Sequence, residues 1–429
     1  MKIKTSNLLP VVLALGLSLI LFAGTLSLAA AGDIERVSLF SGDDGLVERD
    51  SDSKSPSISG DGRFVAFENL QGGYSAVRIF VHDRDLDITH DISLVEPYHM
   101  GTHVSPDISA DGNYLAFVRG YQPLEEERIV QVLVVEWQVE DGTITVIDPP
   151  VEDWTDLEDP SISADGCRVA YEVSYGDQSQ SDIYLYDCVS ETSTLLTHAH
   201  GSTDPANDRS MYPAISDEGL FVAFVSEATN LLGTALDEDR RLYVRDLTAQ
   251  TTELIPLHAD YAGKPGKVYE PSISADGRFV AYTYVFSEGD ESFYEVFVYD
   301  RQTAETSLVS LINGELSGDS ELPSISGDGR FVSFDTYYQD ASETWQCDVY
   351  VHDRWTGNTE LVSKAMGGDP GNDYSYASKI SADGRFIAFQ SEASDLVVGD
   401  TNAAADVFVY ENDTSFEVVY SLYLPGIKR

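Results

Sequence analysis

Asp400-Thr-Asn-Ala-Ala-Ala-Asp406 offers side-chain oxygens from Asp400, Asn402 and Asp406. Oxygens at alternate positions suit a hard cation such as Ca2+. The stretch lacks the glycine expected at the sixth position of a calcium loop, and Glu411, at the twelfth, lies past an expected strand. A polar loop closed by Asx turns is the plainer reading. Asp369, Asn372 and Asp373 add oxygens in a neighbouring loop. Ca2+ is therefore the one cofactor the chain suggests, and none is otherwise expected. Aromatic side chains among acids form a second group: Trp154 near Glu152, Asp153 and Asp156; Tyr337, Tyr338 and Trp345 near Asp335 and Asp340; Tyr374 and Tyr376 near Asp373. Aromatic planes beside carboxylates suit stacking on sugars or holding cationic groups. Packing over the edges of strands is the structural alternative.

Other chemistry is scarce. His99 with His103, and His198 with His200, have possible ligand spacing, but no His-Glu-x-x-His occurs, and surface loop histidines are expected. Past residue 31 there is no Gly-x-Ser-x-Gly nucleophile elbow. Paired carboxylates abound, so no single pair stands out, and no catalytic residue is assigned.

The elements that must position these residues are set by a repeat. Pro271-Ser-Ile-Ser-Ala-Asp-Gly-Arg-Phe-Val-Ala-Tyr282 recurs with its glycine at Gly62, Gly112, Gly166, Gly219, Gly277, Gly329 and Gly384. The steps are 50, 54, 53, 58, 52 and 55 residues. Such a period marks units that bury their faces against one another. Pro-Ser-Ile-Ser reads as a strand, Asp-Gly as a tight turn and Arg-Phe-Val-Ala-Phe as a second strand. A variable loop follows, then a third strand such as Val296–Tyr299, a turn, and a fourth such as Glu360–Ser363. The fold class is all-β: a seven-bladed β-propeller of four-stranded antiparallel blades. Separate domains of about 50 residues would be small for independent cores. The Ser-x-Asp-Gly box recurs at every hairpin, so it caps its own turn.

In an up-and-down blade, alternate connections emerge on one face. The variable loops therefore share a face, and a site is expected there, near the central channel. The segment 34–40 is expected to close the last blade as its outer strand, with 416–424 as the competing segment. Residues 1–31, with Lys2, Lys4 and an apolar run ending in Ala29-Ala-Ala31, read as a signal peptide. A retained anchor is the alternative. Residues 32–429 then form one propeller domain.

Cys167 opens the second strand of its unit and Cys188 ends the third. Matching positions elsewhere change type together: Arg63 with Arg84, Arg278 with Arg301, Arg330 with Arg354, Leu220 with Leu247. Facing positions would behave so. A Cys167–Cys188 disulfide is predicted, contributing about 3 kcal/mol in the chain-entropy model. Cys347 has no evident partner. The formal net charge is −47. Such a chain repels nucleic acid and anionic lipid and favours cations or basic partners.

The repeat, followed by Val-Phe-Val-Tyr-Asp-Arg at 296–301, resembles the bacterial WD-like propeller repeats of TolB-like proteins. The resemblance covers nearly all of 32–429. It implies a periplasmic propeller that binds protein partners, although the α/β domain of TolB has no counterpart here. Related repeats occur in peptidases beside a hydrolase domain, and none follows here. The resemblance supplies no catalytic residues. The expectation is a secreted or periplasmic monomer acting as a non-catalytic scaffold for a protein, peptide or glycan. It binds no nucleic acid and makes no stable membrane insertion. The competing expectation is a secreted glycan-active hydrolase or lyase with its site on the variable-loop face.

Overall fold

A computed structural model describes residues 32–412, apart from 43–44, 48–49, 72–75, 95–100, 122–128, 140–141, 150–153, 177–179, 235–238, 262–263, 290, 317 and 341. Residues 1–31, the segment 416–424, His99, Glu152 and Asp153 lie outside the described residues.

Seven four-stranded antiparallel sheets form a seven-bladed propeller. No α-helix occurs among the described residues. Blade five shows the plan: Gly266–Ile273 innermost, then Phe279–Glu288, Glu291–Asp300 and Glu305–Leu308. The inner strands of blades one to seven are Ser53–Ile58, Thr102–Ile108, Trp154–Ile162, Ser210–Ile215, Gly266–Ile273, Asp319–Ile325 and Ser375–Ile380. Successive inner strands touch, and the seventh touches the first. In blade seven the outer strand is Ile34–Arg36, paired antiparallel with Asp406–Glu411, Ile34 opposite Tyr410.

The motif builds both blade and interface. Its last aromatic stacks on one of the third strand, as Phe67 on Phe80, Tyr282 on Phe297 and Phe389 on Phe408. Ser59 donates to Asp61 (2.7 Å), whose carboxylate accepts from the Arg63 amide (3.0 Å), and blades two, three, five, six and seven repeat this cap. The turn glycine has φ near +70° and carries the motif aromatic of the preceding blade, except that Gly219 carries Arg168. A Cβ on Gly62 would stand 2.0 Å from Phe386 Cδ2, and one on Gly277 2.2 Å from Phe221 Cδ2.

The Cys167–Cys188 disulfide is present, with Cα atoms 5.0 Å apart. The Cys188 amide donates to Cys167 O (2.9 Å), as the Arg84 amide does to Arg63 O and the Arg301 amide to Arg278 O. The positions do face, but the arginines do not pair with each other. Arg63 grips Asp83 and Arg278 grips Asp300 with two bonds each. His103 is a correction to the surface-histidine expectation. It is buried, edge-on to Phe117.

Candidate functional site

Every inner strand carries a β-bulge. Pairing with the second strand slips between Lys54 and Ser57 in blade one, and at the matching place in the other six. The residue before the motif proline, or before Ser378 in blade seven, takes a left-handed φ near +50°. For a residue with a Cβ this costs about 1 kcal/mol. A bulge re-aims a side chain, and here all seven residues line the central cavity: Ser55, Ser105, Asp159, Tyr212, Glu270, Leu322 and Ala377. Where the preceding blade supplies a long acceptor, it caps the bulge amide. Glu68 accepts from Ser105 (2.8 Å), Asp335 from Ala377 (2.5 Å) and Gln390 from Ser55 (2.9 Å).

The cavity holds about 510 Å³. Its tight-turn end is drawn together by a belt of backbone hydrogen bonds from blade to blade. Examples are the Gly60 amide to Ala110 O (2.9 Å), Ala275 to Gly327 O (3.0 Å) and Asp383 to Gly60 O (3.0 Å). The ring there is Gly60, Ala110, Ala164, Asp217, Ala275, Gly327 and Ala382. Gly60 has no room for more: a Cβ there would meet Ala110 O at 2.9 Å and Ala382 Cβ at 3.2 Å. The variable-loop end lies about 15 Å away along the strand.

Between mouth and floor lies a tier of Ser57, Asp107, Ser161, Ala214, Ser272, Ser324 and Lys379. Its serines hold the next blade: the Ile108 amide donates to Ser57 Oγ (3.0 Å), and the Ile325 amide to Ser272 Oγ (3.1 Å). Asp107 does the same for the Ile162 amide (2.9 Å) while accepting from Ser57 (3.0 Å), so the scaffold accounts for it. The scaffold does not account for Asp159, Tyr212, Asp217, Glu270 or Lys379. Apart from Asp107 in the tier of Lys379, other blades fill those positions with small, uncharged or aliphatic residues.

These departures act on one another. Burial pushes the Glu270 carboxyl up to about 7; Glu321 and Asp159 add to the rise and Lys379 opposes it. Burial also raises Asp159, again against Lys379. Asp217 is raised by burial and by the charges of Asp107 and Glu218. Tyr212 stands in the blade between Asp159 and Glu270, and both push its hydroxyl up, after burial and Glu270 first. The arrangement can hold a proton near neutrality on Glu270, set a second carboxylate two blades away, and offer an aromatic ring from the blade between them.

The sequence candidates sit elsewhere. Trp154 begins the inner strand of blade three, opposite Tyr175. Tyr337, Tyr338 and Trp345 share one hairpin of blade six, where Tyr337 opposes Cys347 and Trp345 is 51% exposed. The Tyr338 hydroxyl donates to Asp348 (2.6 Å). Tyr374 is half-buried just before the inner strand of blade seven. Tyr337, Tyr338, Trp345 and Tyr374 are not among the residues that line the cavity. Asp400, Asn402 and Asp406 are brought together, but around Arg36, whose guanidinium lies 3.2 Å from Asp400 and 3.3 Å from Asp406. Asn402 and Ser38 also donate to Asp406 (3.0 and 2.5 Å). Asp406 belongs to a structural series: Thr197 with Asp182, Ser310 with Glu295 and Ser363 with Asp348 make the same buried pair. Among the described residues, no three His, Cys, Asp or Glu side chains are grouped to hold a metal ion.

No protein-family model and no curated protein matches the chain. Solved structures do. Oligogalacturonate lyase from Vibrio parahaemolyticus aligns at 12% identity and TM-score 0.56, over 89% of this chain and 98% of its own. An oligogalacturonate lyase in complex with manganese aligns at 12% and 0.56, over 90% and 99%. The donor set for such a metal is not found among the described residues. TolB from Acinetobacter baumannii aligns at 13% and 0.41, over 82% and 81%, too distantly to bear on role. At these identities the likeness is one of fold. It nevertheless corrects the expectation of a non-catalytic scaffold. That expectation leaned on the lack of an appended hydrolase domain, yet proteins named as lyases match along nearly their whole length.

Proposed function

We propose that the protein is a glycan-active enzyme, a hydrolase or lyase, working in the cavity that opens on the variable-loop face. The observation that carries this reading is the pair Glu270 and Asp159, two carboxyls set on bulges of the cavity wall with Tyr212 between them. Glu270, held near 7, donates its proton to the oxygen of the bond that breaks, a step that hydrolysis and elimination share. In hydrolysis Asp159 takes a proton from the water that attacks the sugar carbon. Tyr212 gives the ring a face to stack on. The disulfide supports action in an oxidising compartment, secreted or periplasmic.

The test is a glycan panel with the purified chain. New reducing ends without new ultraviolet absorbance mean hydrolysis, and both together mean elimination. Glu270→Gln is expected to lower turnover by about 10²–10⁴-fold with the melting temperature kept. Unchanged turnover in that variant, or no turnover of any glycan, defeats the reading.

A further inference from the structure

We infer that the sugar accepted at this site carries a free amino group, so that the substrate is a cationic glycan and not a polyuronate. This rests on the glycan-active reading above and names its substrate class. Consecutive blades three, four and five present Asp159, Tyr212 and Glu270 from the same ring position. The Tyr212 ring with the Asp159 carboxylate beside it is a receptor for an ammonium group, and Glu270, which keeps the proton it donates, adds its charge only above about pH 7. Asp217 sets a further carboxylate in the floor ring, where the other six residues are glycine or alanine. The lining holds four carboxylates, those of Asp107, Asp159, Asp217 and Glu270, against the single ammonium of Lys379.

The rim continues the trend. Glu158 and Glu321 lie close enough to Asp159 and Glu270 to act on them or be acted on by them. Like charges gathered in one cavity oppose each other, and the scaffold asks for none of Asp159, Asp217 or Glu270. A cation relieves that repulsion. A neutral sugar does not, and a uronate adds to it. Elimination draws on a uronate, whose carboxyl acidifies the neighbouring C–H, so the charge of the cavity also points to hydrolysis. The field of a chain with net charge −47 steers the same class of ligand inward.

Titration calorimetry on the full chain tests this with four probes: a glucosamine tetramer, its fully N-acetylated form, a galacturonate tetramer and tetralysine. The amino form is expected to bind at least about tenfold tighter than the acetylated form at low salt, a gap that narrows as salt rises. The galacturonate is expected not to bind. Asp159→Ser and Glu270→Ser place the residue of Ser55 and Ser105 at the same ring position, so the fold is kept, as melting by circular dichroism checks. Each should shrink the gap, and together they should abolish it. A gap that survives the double variant overturns the inference. So does acetylated or uronate sugar that binds or turns over as well as the amino form, although the glycan-active reading then stands. Tetralysine binding as tightly as the sugar, or no glycan binding at all, overturns both.

Discussion

Gly62 shows how two separate demands meet on one atom. Its φ of +74° lies in the left-handed region, and the space its missing Cβ leaves is filled by the Phe386 ring of the preceding blade. Gly201 meets only the first demand: its φ is +71°, and nothing lies within 4 Å of a built Cβ. Comparing the two alanine variants separates backbone strain from packing. Gly201→Ala should cost about 1 kcal/mol, the left-handed penalty alone. Gly62→Ala should cost about 3 kcal/mol or more, because Phe386 must also leave its place at the blade interface. Urea unfolding of both variants checks this, and equal losses would mean that the Phe386 contact carries no weight.

At the scale of elements, the inner strands are stitched by side chains that take the next blade's isoleucine amide. Ser57, Asp107, Ser161, Ser272 and Ser324 make this bond at 2.9–3.1 Å. Lys379 and Ala214 interrupt the belt, since neither has an acceptor to offer. Lys379→Ser should therefore raise stability by about 1 kcal/mol, one buried hydrogen bond, while turnover falls because Glu270 and Asp159 lose their counter-charge. Opposite signs for stability and activity mark a residue kept for function at the scaffold's expense; loss of both would assign Lys379 to the scaffold. The strands, their number and the Cys167–Cys188 bond were legible because a repeat tests itself seven times. The site was legible only in part. Loop aromatics such as Trp345 stand out, while Asp159, Asp217, Glu270 and Lys379 lie inside the motif, at positions that vary within x-Pro-x-Ile-Ser-x. Period-two alternation cannot reveal that the residue before the proline faces the axis, because a bulge sets that direction. Aligning the seven copies and asking which departures carry charge would have found it.

Across the whole molecule, 73 acidic residues stand against 26 basic ones, and several acids are buried. Burial pushes Glu172, Asp182, Glu270 and Glu295 up to about 7 and Asp335 to about 8. Each has a folded pKa above its unfolded value near 4, so the folded state binds more protons between about pH 4 and 7, and stability falls as pH rises through that window. His82 acts the other way. Burial lowers it to about 4, so its contribution is lost as pH falls from about 6.5. Asp300, held down to about 2 by Arg278, withdraws its contribution only below about pH 4. Five carboxyls outweigh His82 and His352, which burial also lowers, and Asp300 turns the curve only below that window, which sets the expected stability maximum at about pH 4. The melting temperature should be higher at pH 5 than at pH 8 by several degrees, corresponding to at least about 2 kcal/mol. Surface repulsion among the excess acids would give the same sign, but 1 M salt screens it to a Debye length of about 3 Å. The pH slope should therefore survive 1 M NaCl and flatten in Glu295→Gln, which removes one buried titration. A slope that vanishes in salt would assign the effect to the surface, and a melting temperature that rises from pH 5 to 8 would show that the buried carboxyls are satisfied as anions.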